Sequence, residues 1–293
     1  MGDDVNVEVT QAGEKARTLV EALPYIRRYR RKTVVVKIGG EALDDPNLAD
    51  IVAQDLALLS LVGIRLVVVH GGGPQITDAL ERAGLTSEFV GGLRVTGEAS
   101  MEIVRQVLVG SINADLVGRL RNAGVQAVGL SGNDGGIFEA ERTEGPAGED
   151  LGRVGRIVAV HPTLIHSLLE QAYVPVIASV APDHNGGALN VNADAVAGSL
   201  AAAVRAEKLV YLTNVEGLYR DLGDAGSLIS SLSLTELNEM LPTLSSGMRP
   251  KASSASHAIS AGVHKVHILD GRVEHALLLE IFTDAGIGTQ VRP

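Results

Sequence analysis

Two short runs of β-branched residues, each closed by glycines, constrain this chain more than any other feature. Val34-Val35-Val36-Lys37-Ile38 runs straight into Gly39-Gly40, and one βα unit later Leu66-Val67-Val68-Val69-His70 runs into Gly71-Gly72-Gly73. Runs this apolar and this short read as buried parallel strands that turn sharply into helices. Glycine at the turn lets backbone N–H groups approach an anion at the start of the following helix. Two such turns predict a site for phosphate, or for a carboxylate receiving one. Lys37, inside the end of the first strand, makes phosphoryl transfer the leading chemistry.

Strand and helix signals alternate along the rest of the chain. Strands are predicted at 33–38, 64–69, 125–130, 174–180, 208–213, 264–269 and 287–292. Helices are predicted near 47–62, 74–83, 98–123, 162–172, 192–206, 233–241, 251–261 and 273–281, and 137–142 with 153–160 reads as a β-hairpin. This alternation implies an α/β fold with a mainly parallel sheet covered on both faces. The turn cluster Pro182-Asp183-His184-Asn185-Gly186-Gly187 marks a boundary between a first lobe, 33–181, and a second, 182–293. Ahead of them, residues 1–32 read as an irregular lead-in of about 15 residues followed by an amphipathic helix, kinked at Pro24. Its apolar positions Ala16, Leu19, Val20, Leu23 and Ile26 either pack on its own domain or make an oligomer contact.

Composition removes several classes of function. The chain has no cysteine, which excludes disulfides, thiolate zinc sites and cysteine nucleophiles, and fits a cytoplasmic setting. A formal charge of −10 argues against general nucleic-acid binding. No apolar run approaches the ~20 residues of a membrane helix. No G-x-x-x-x-G-K-[ST] loop occurs, no G-x-G-x-x-G follows the first strand, and the protein-kinase motifs are absent. His161/His166 and His264/His267 do not make a convincing metal set, so no protein-bound metal is expected; magnesium carried by nucleotide phosphates is a separate matter.

Five places carry chemistry. Lys37 at a strand end points into the crevice where open α/β sheets bind ligands. Gly71-Gly72-Gly73 before Pro74 forms a helix amino end suited to an anion. Arg94, in the glycine-flanked segment 91–96, is able to clamp a carboxylate, though such an arginine is also at home on a solvated surface. Asn190, Asn192 and Asp194 open a helix; capping explains one of the three. Lys251 follows Pro250 in a first helical turn, where the dipole disfavours a cation, so it either faces a polyanion or is a surface lysine.

Taken in order, VVVKIGG (34–40), VVVHGGGPQI (67–76), GGLRVT (91–96), LSGNDGG (130–136), LNVNAD (189–194), LTNVEGLY (212–219) and GMRPK (247–251) resemble the N-acetylglutamate kinases of the amino-acid-kinase family. The resemblance covers nearly the whole chain from about residue 14 and implies an open αβα sandwich with a mainly parallel central sheet, two lobes and a kinked N-terminal helix. It implies N-acetyl-L-glutamate in the first lobe and ATP, with Mg²⁺, in the second. By resemblance, Lys37 and Lys251 stabilise the migrating phosphoryl group and Asp194 holds both lysines. Gly39, Gly40, Gly72 and Gly73 donate backbone N–H groups, Arg94 and Asn190 take the substrate's α-carboxylate, and Asn192 lies beside them. Thr213, Asn214, Val215, Glu216, Gly217, Leu218 and Tyr219 shape the nucleotide pocket. Family members commonly carry aspartate in place of Asn214 and glycine in place of Ser246. The N-terminal helix and the C-terminal segment resemble those of arginine-sensitive members. That implies feedback inhibition by L-arginine at Tyr25 (or Tyr29), Lys208, His267, Glu280 and Gly286, and a homohexamer built as a trimer of dimers. Two alternatives stand beside this: a sister kinase for glutamate or carrier-linked aminoadipate, and a non-catalytic arginine sensor.

Overall fold

The computed structural model describes residues 2–221, 223–245, 247–283 and 286–293; Ser246 lies outside them. The chain opens with α1 (Gly2–Tyr29), then β1 (Thr33–Ile38), α2 (Gly40–Asp44), α3 (Pro46–Leu61), β2 (Arg65–His70) and α4 (Gly73–Arg82). A hairpin of β3 (Phe89–Val90) and β4 (Leu93–Arg94) precedes α5 (Glu98–Arg105), a π-helical segment Gln106–Ile112, and α6 (Asn113–Asn122). Next come β5 (Ala127–Leu130), β6 (Phe138–Glu144), β7 (Asp150–Val160), α7 (Thr163–Glu170), β8 (Val174–Ala178), β9 (Val180–Pro182) and β10 (Ala188–Val191). The remainder is α8 (Ala193–Ala203), β11 (Lys208–Thr213), β12 (Ser231–Ser233), α9 (Leu234–Met240), α10 (Arg249–Ser260), β13 (Lys265–Asp270), α11 (Ala276–Phe282) and β14 (Thr289–Arg292).

Eight strands form the central sheet in the order β12-β14-β13-β11-β1-β2-β8-β5. They are parallel except at one edge, where β14 runs antiparallel to β13 and β12 runs with β14. β6-β7-β10-β9 form a second sheet of four strands. The α/β sandwich expected from the strand–helix alternation is therefore present.

Side chains alternate across a strand, and β1 shows what that does here. Val34, Val36 and Ile38 enter a core with Leu56 of α3, Leu116 of α6 and Leu277 of α11. Val35 enters the opposite core, with Val196 and Leu200 of α8 and Ala252 and Ala255 of α10. Lys37 shares the parity of Val35, so it emerges on the face that α8 and α10 cover. The fold thereby aims Lys37 at the helices that carry Asp194 and Lys251.

Some features differ from the sequence reading and others decide between its alternatives. The expected lead-in is helical from Gly2, part of one helix that contains Pro24 in its interior. Leu19, Val20 and Leu23 of α1 are 71%, 62% and 43% exposed, so the chain's own domain does not bury that stripe. β10 follows the turn at 182–187 yet pairs with β7 and β9 before it, so the second sheet spans the boundary drawn there. Such long-range pairing leaves no local trace in a sequence. The helical pattern at 98–123 is present but contains the π segment.

Candidate active site

Two lysines and one aspartate meet above the carboxyl ends of β1 and β11. Lys37 Nζ lies 2.8 Å from Asp194 Oδ1, a charge contact rather than a well-aligned hydrogen bond, and Lys251 Nζ lies 3.4 Å from Asp194 Oδ2. Burial pushes the Asp194 carboxyl up, but Lys37 and then Lys251 outweigh it and hold the group below its ordinary value. Asp194 is therefore an anion at neutral pH, and the cluster of two cations and one anion keeps a surplus positive charge.

Local chemistry fixes each member. Asn192 caps α8, its Oδ1 accepting from the N–H groups of Asp194 (2.8 Å) and Ala195 (3.2 Å). Asp194 thus sits in the first turn. Pro250, the second residue of α10, places Lys251 in the opening turn. One turn further, Ser254 donates its hydroxyl to Asp194 O and accepts from Tyr211 at 2.6 Å. This buried chain ties α10 to α8 and β11. Nothing local in the sequence distinguishes Ser254 from the other serines of its helix.

A cavity of about 180 Å³ opens on one side of the cluster. Lys37, Gly72, Gly73, Arg94, Asn190, Asn192 and Asp194 line it, together with apolar Ile76, Phe89, Leu108 and Val154. Arg94 is 7% exposed and stacks 4.6 Å over the Phe89 ring. It donates to Gly73 O and Thr77 Oγ1, both at 2.9 Å, and to Ser87 Oγ. No carboxylate pairs with it among the described residues. Burial accordingly lowers its pKa. Asn190 donates to Thr96 Oγ1 at 3.2 Å.

The glycine turns divide into two kinds. Gly72 caps α4 and Gly73 begins it, where the first N–H groups have no intrahelical acceptor. Gly40 begins α2 and abuts the second turn; a β-carbon on it would lie 2.8 Å from Pro74 Cδ. Gly39 departs from the expected role, because its N–H extends the β1–β11 ladder and donates to Leu212 O at 2.9 Å. That N–H is not available to a ligand.

On the other side of the cluster a cavity of about 700 Å³ is lined by Thr213, Asn214, Val215, Gly217, Leu218 and Tyr219, with Lys251 at its edge. Met240, Leu244, Met248, Arg220 and Asp221, which the sequence reading did not single out, also line it. Glu216 turns aside and accepts from Tyr219 Oη at 2.7 Å. Asn214 Oδ1 accepts from Thr213 Oγ1 at 3.4 Å. The loop is pinned by Thr289, whose hydroxyl accepts from Leu218 N–H at 2.7 Å and donates to Ile229 O at 2.6 Å.

A third cavity, about 300 Å³, is lined by residues of α1, β11, β13 and α11. It gathers Tyr25, Tyr29, Lys208, His267, Glu280 and Gly286. Lys208 Nζ (2.7 Å) and His267 Nε2 (2.9 Å) both reach Glu280 Oε1, while Glu280 Oε2 and His267 Nδ1 are buried without a hydrogen-bond partner among the described residues.

Residues 32–270 match the model of the amino acid kinase family, and a protein of Saccharopolyspora erythraea named acetylglutamate kinase is 49% identical over 292 residues, covering 99% of this chain and 96% of that one. The chain belongs to the amino acid kinase family. Among solved structures, the family fold recurs in N-acetylglutamate synthase from Neisseria gonorrhoeae complexed with coenzyme A and N-acetyl-glutamate (TM-score 0.85, 32% identity, 95% of this chain and 63% of that one). The same synthase complexed with coenzyme A and L-arginine matches at TM-score 0.80 and 30% identity, covering 94% of this chain and 65% of that one. The chain thus spans a little under two thirds of the synthase it resembles. As a kinase of this family it uses ATP. No described helix is long and apolar enough to cross a membrane.

Proposed function

We propose that this protein transfers the γ-phosphoryl group of ATP to the side-chain carboxylate of N-acetyl-L-glutamate. One observation carries the reading: ammonium groups from β1 and α10 lie on the two oxygens of one buried carboxylate, where two cavities meet. A carboxylate nucleophile is already ionised at pH 7 and needs no general base. What remains is alignment of donor and acceptor and neutralisation of charge on the migrating group, which Lys37, Lys251 and the Gly72–Gly73 amides supply. Asp194 holds the lysines without touching the reaction.

The lining of the smaller cavity favours an acylated substrate. Its cations are Lys37 and Arg94, and Asp194, its one described carboxylate, is engaged by both lysines. Two anionic groups are therefore matched, one by each cation. A free α-ammonium, as on glutamate or aminoadipate, would find no acceptor of opposite charge. Blocking that amine with an acetyl group removes the conflict, and Leu108, Val154 and Ile76 offer the methyl an apolar wall. The larger cavity fits a nucleotide by its size, its Met240–Leu244–Met248 wall and Lys251 at the end where phosphates would lie. Magnesium enters this reading with those phosphates, offsetting their charge. Among the described residues no group of three or more His, Asp or Glu is placed to ligate it. A coupled ADP-release assay across N-acetylglutamate, glutamate and aminoadipate tests the reading; turnover with a free amino acid matching that with N-acetylglutamate would refute it.

The third cavity supports a second element, inhibition by L-arginine. Its buried, unpartnered Glu280 Oε2 is an acceptor waiting for a guanidinium or ammonium group. Adding millimolar arginine to the same assay tests this, and unchanged turnover would count against it. The exposed stripe on α1 supports a homo-oligomer, read as a hexamer of three dimers. Sedimentation of a Leu19→Ser/Leu23→Ser variant is expected to show a smaller assembly. Residues 1–32 would then serve assembly, 33–181 the amino-acid substrate and dimerisation, and 182–293 the nucleotide and effector. The setting is read as cytoplasmic.

A further inference from the structure

The loop joining β2 to α4 is held from behind by groups the proposed chemistry does not use. His70, the last residue of β2, is wholly buried. Its Nδ1 lies 3.1 Å from Gly71 O, and its Nε2 lies 3.0 Å from Asn113 Nδ2, which also donates to Val176 O at 2.9 Å. A carbonyl oxygen only accepts and an amide nitrogen only donates. The ring is therefore neutral with its proton on Nδ1. Burial acts in the same direction, taking the pKa of His70 down to about 4.

Asn113 follows directly on the π-helical segment, which inserts an extra residue into the helical turn. The segment sets Leu108 and Ile112 against the glycine loop so closely that a β-carbon on Gly72 would lie 2.3 Å from Ile112 Cδ1. Gly129 of β5 makes room for the Asn113 amide; a β-carbon there would lie 2.0 Å from Oδ1. The irregular helix, the asparagine and the histidine form one support beneath Gly71–Gly73.

We propose that His70 and Asn113 are positioning residues for phosphoryl transfer, fixing the Gly71–Gly72 peptide so that the Gly72 N–H faces the cavity. The inference rests on reading that cavity as the phosphoryl-acceptor site. The peptide is trans, so its C=O and N–H point in opposite directions. With Gly71 O held against the buried ring, the Gly72 N–H is turned away from the core, toward the cavity that the glycines line. Flanking glycines otherwise leave this peptide free to rotate. A donor fixed before the reaction stabilises developing charge without reorganising.

The decisive test compares three substitutions. An asparagine amide reaches the place of imidazole Nδ1, whereas a glutamine amide reaches the place of Nε2. His70→Asn is expected to keep kcat within a few-fold. His70→Gln and His70→Leu are expected to lose about 10²-fold in kcat, with N-acetylglutamate affinity by calorimetry little changed. In the unliganded wild-type protein, ¹⁵N spectra of labelled imidazole should show a protonated Nδ1 and a bare Nε2. Asn113→Leu should mix the tautomers. Equal loss of kcat in the Asn and Gln variants, or a wild-type ring protonated on Nε2, would overturn the proposal. Full turnover in Lys37→Met would instead refute the reading of the cavity itself, whatever the His70 variants do.

Discussion

Asp194 and Glu280 are both buried carboxylates beside two basic side chains, yet they are wired differently. At Asp194 each oxygen faces its own ammonium, Lys37 on Oδ1 and Lys251 on Oδ2. At Glu280 both Lys208 and His267 crowd onto Oε1, and Oε2 has no hydrogen-bond partner among the described residues. Burial lowers the pKa of His267, so its ring is neutral at pH 7 and the second cluster has no net charge. The first cluster has charge left over and calls for an anion. The second has an acceptor left over and calls for a donor. The same residue types thus make opposite sites, and the difference lies in which oxygen each base reaches.

The largest expected break in this comparison is Lys37→Met. It removes the surplus charge and should lower kcat by about 10²–10³-fold, the scale of losing one preorganised donor. Steady-state rates check it. Next, Glu280→Gln replaces the unpartnered acceptor by a neutral one. The arginine concentration for half-inhibition should rise about tenfold or more, as for a hydrogen bond to a charged group. Turnover without arginine should fall far less than in Lys37→Met.

A third prediction concerns acid. Asp194 is held below its ordinary value of 3.8, so its ionised form stabilises the fold at pH values above the unfolded pKa. That contribution is lost as pH falls through the lowered folded value. Denaturant midpoints of wild type and Asp194→Asn should therefore differ widely at pH 7 and converge below about pH 4. A gap independent of pH would contradict the ion-pair account. The smallest effect is at Tyr29, whose ring centroid lies 5.3 Å from Lys208 Nζ. Tyr29→Leu keeps apolar bulk but loses the cation–π contact, about 1 kcal/mol in thermal stability.

Much of this was legible in the sequence, and the reasons differ by element. β1 and β2 announced themselves because a strand buried on both faces is a continuous β-branched run ending in glycine. Lys37 and Lys251 were readable because each sits where a lysine is costly without an anion. The motif resemblance gathered Tyr25, Lys208, His267, Glu280 and Gly286, which the structure brings to one cavity although they span most of the chain. Gly39 misled: its N–H goes to Leu212 O, and a glycine doublet does not reveal which amide the neighbouring strand will take. Asn113 and Ser254 escaped notice because their partners, His70 and Asp194, are distant in sequence. The π segment was read as plain helix because its apolar spacing differs from an α-helix by a single residue.

β1 is hydrogen-bonded to β11 on one side and to β2 on the other along its length, with Lys37 opposite Tyr211 and Val69. The strand bearing the Lys37 ammonium is therefore held equally by the β11 side and the β2 side of the sheet. No crease can open there without breaking a parallel ladder in the middle of the sheet. The other basic groups of the site stand outside that ladder, Lys251 on α10 and Arg94 on the separate β3–β4 hairpin. Lys37 is thus anchored by sheet on both flanks, while the groups that face it are borne by a helix and a two-stranded hairpin.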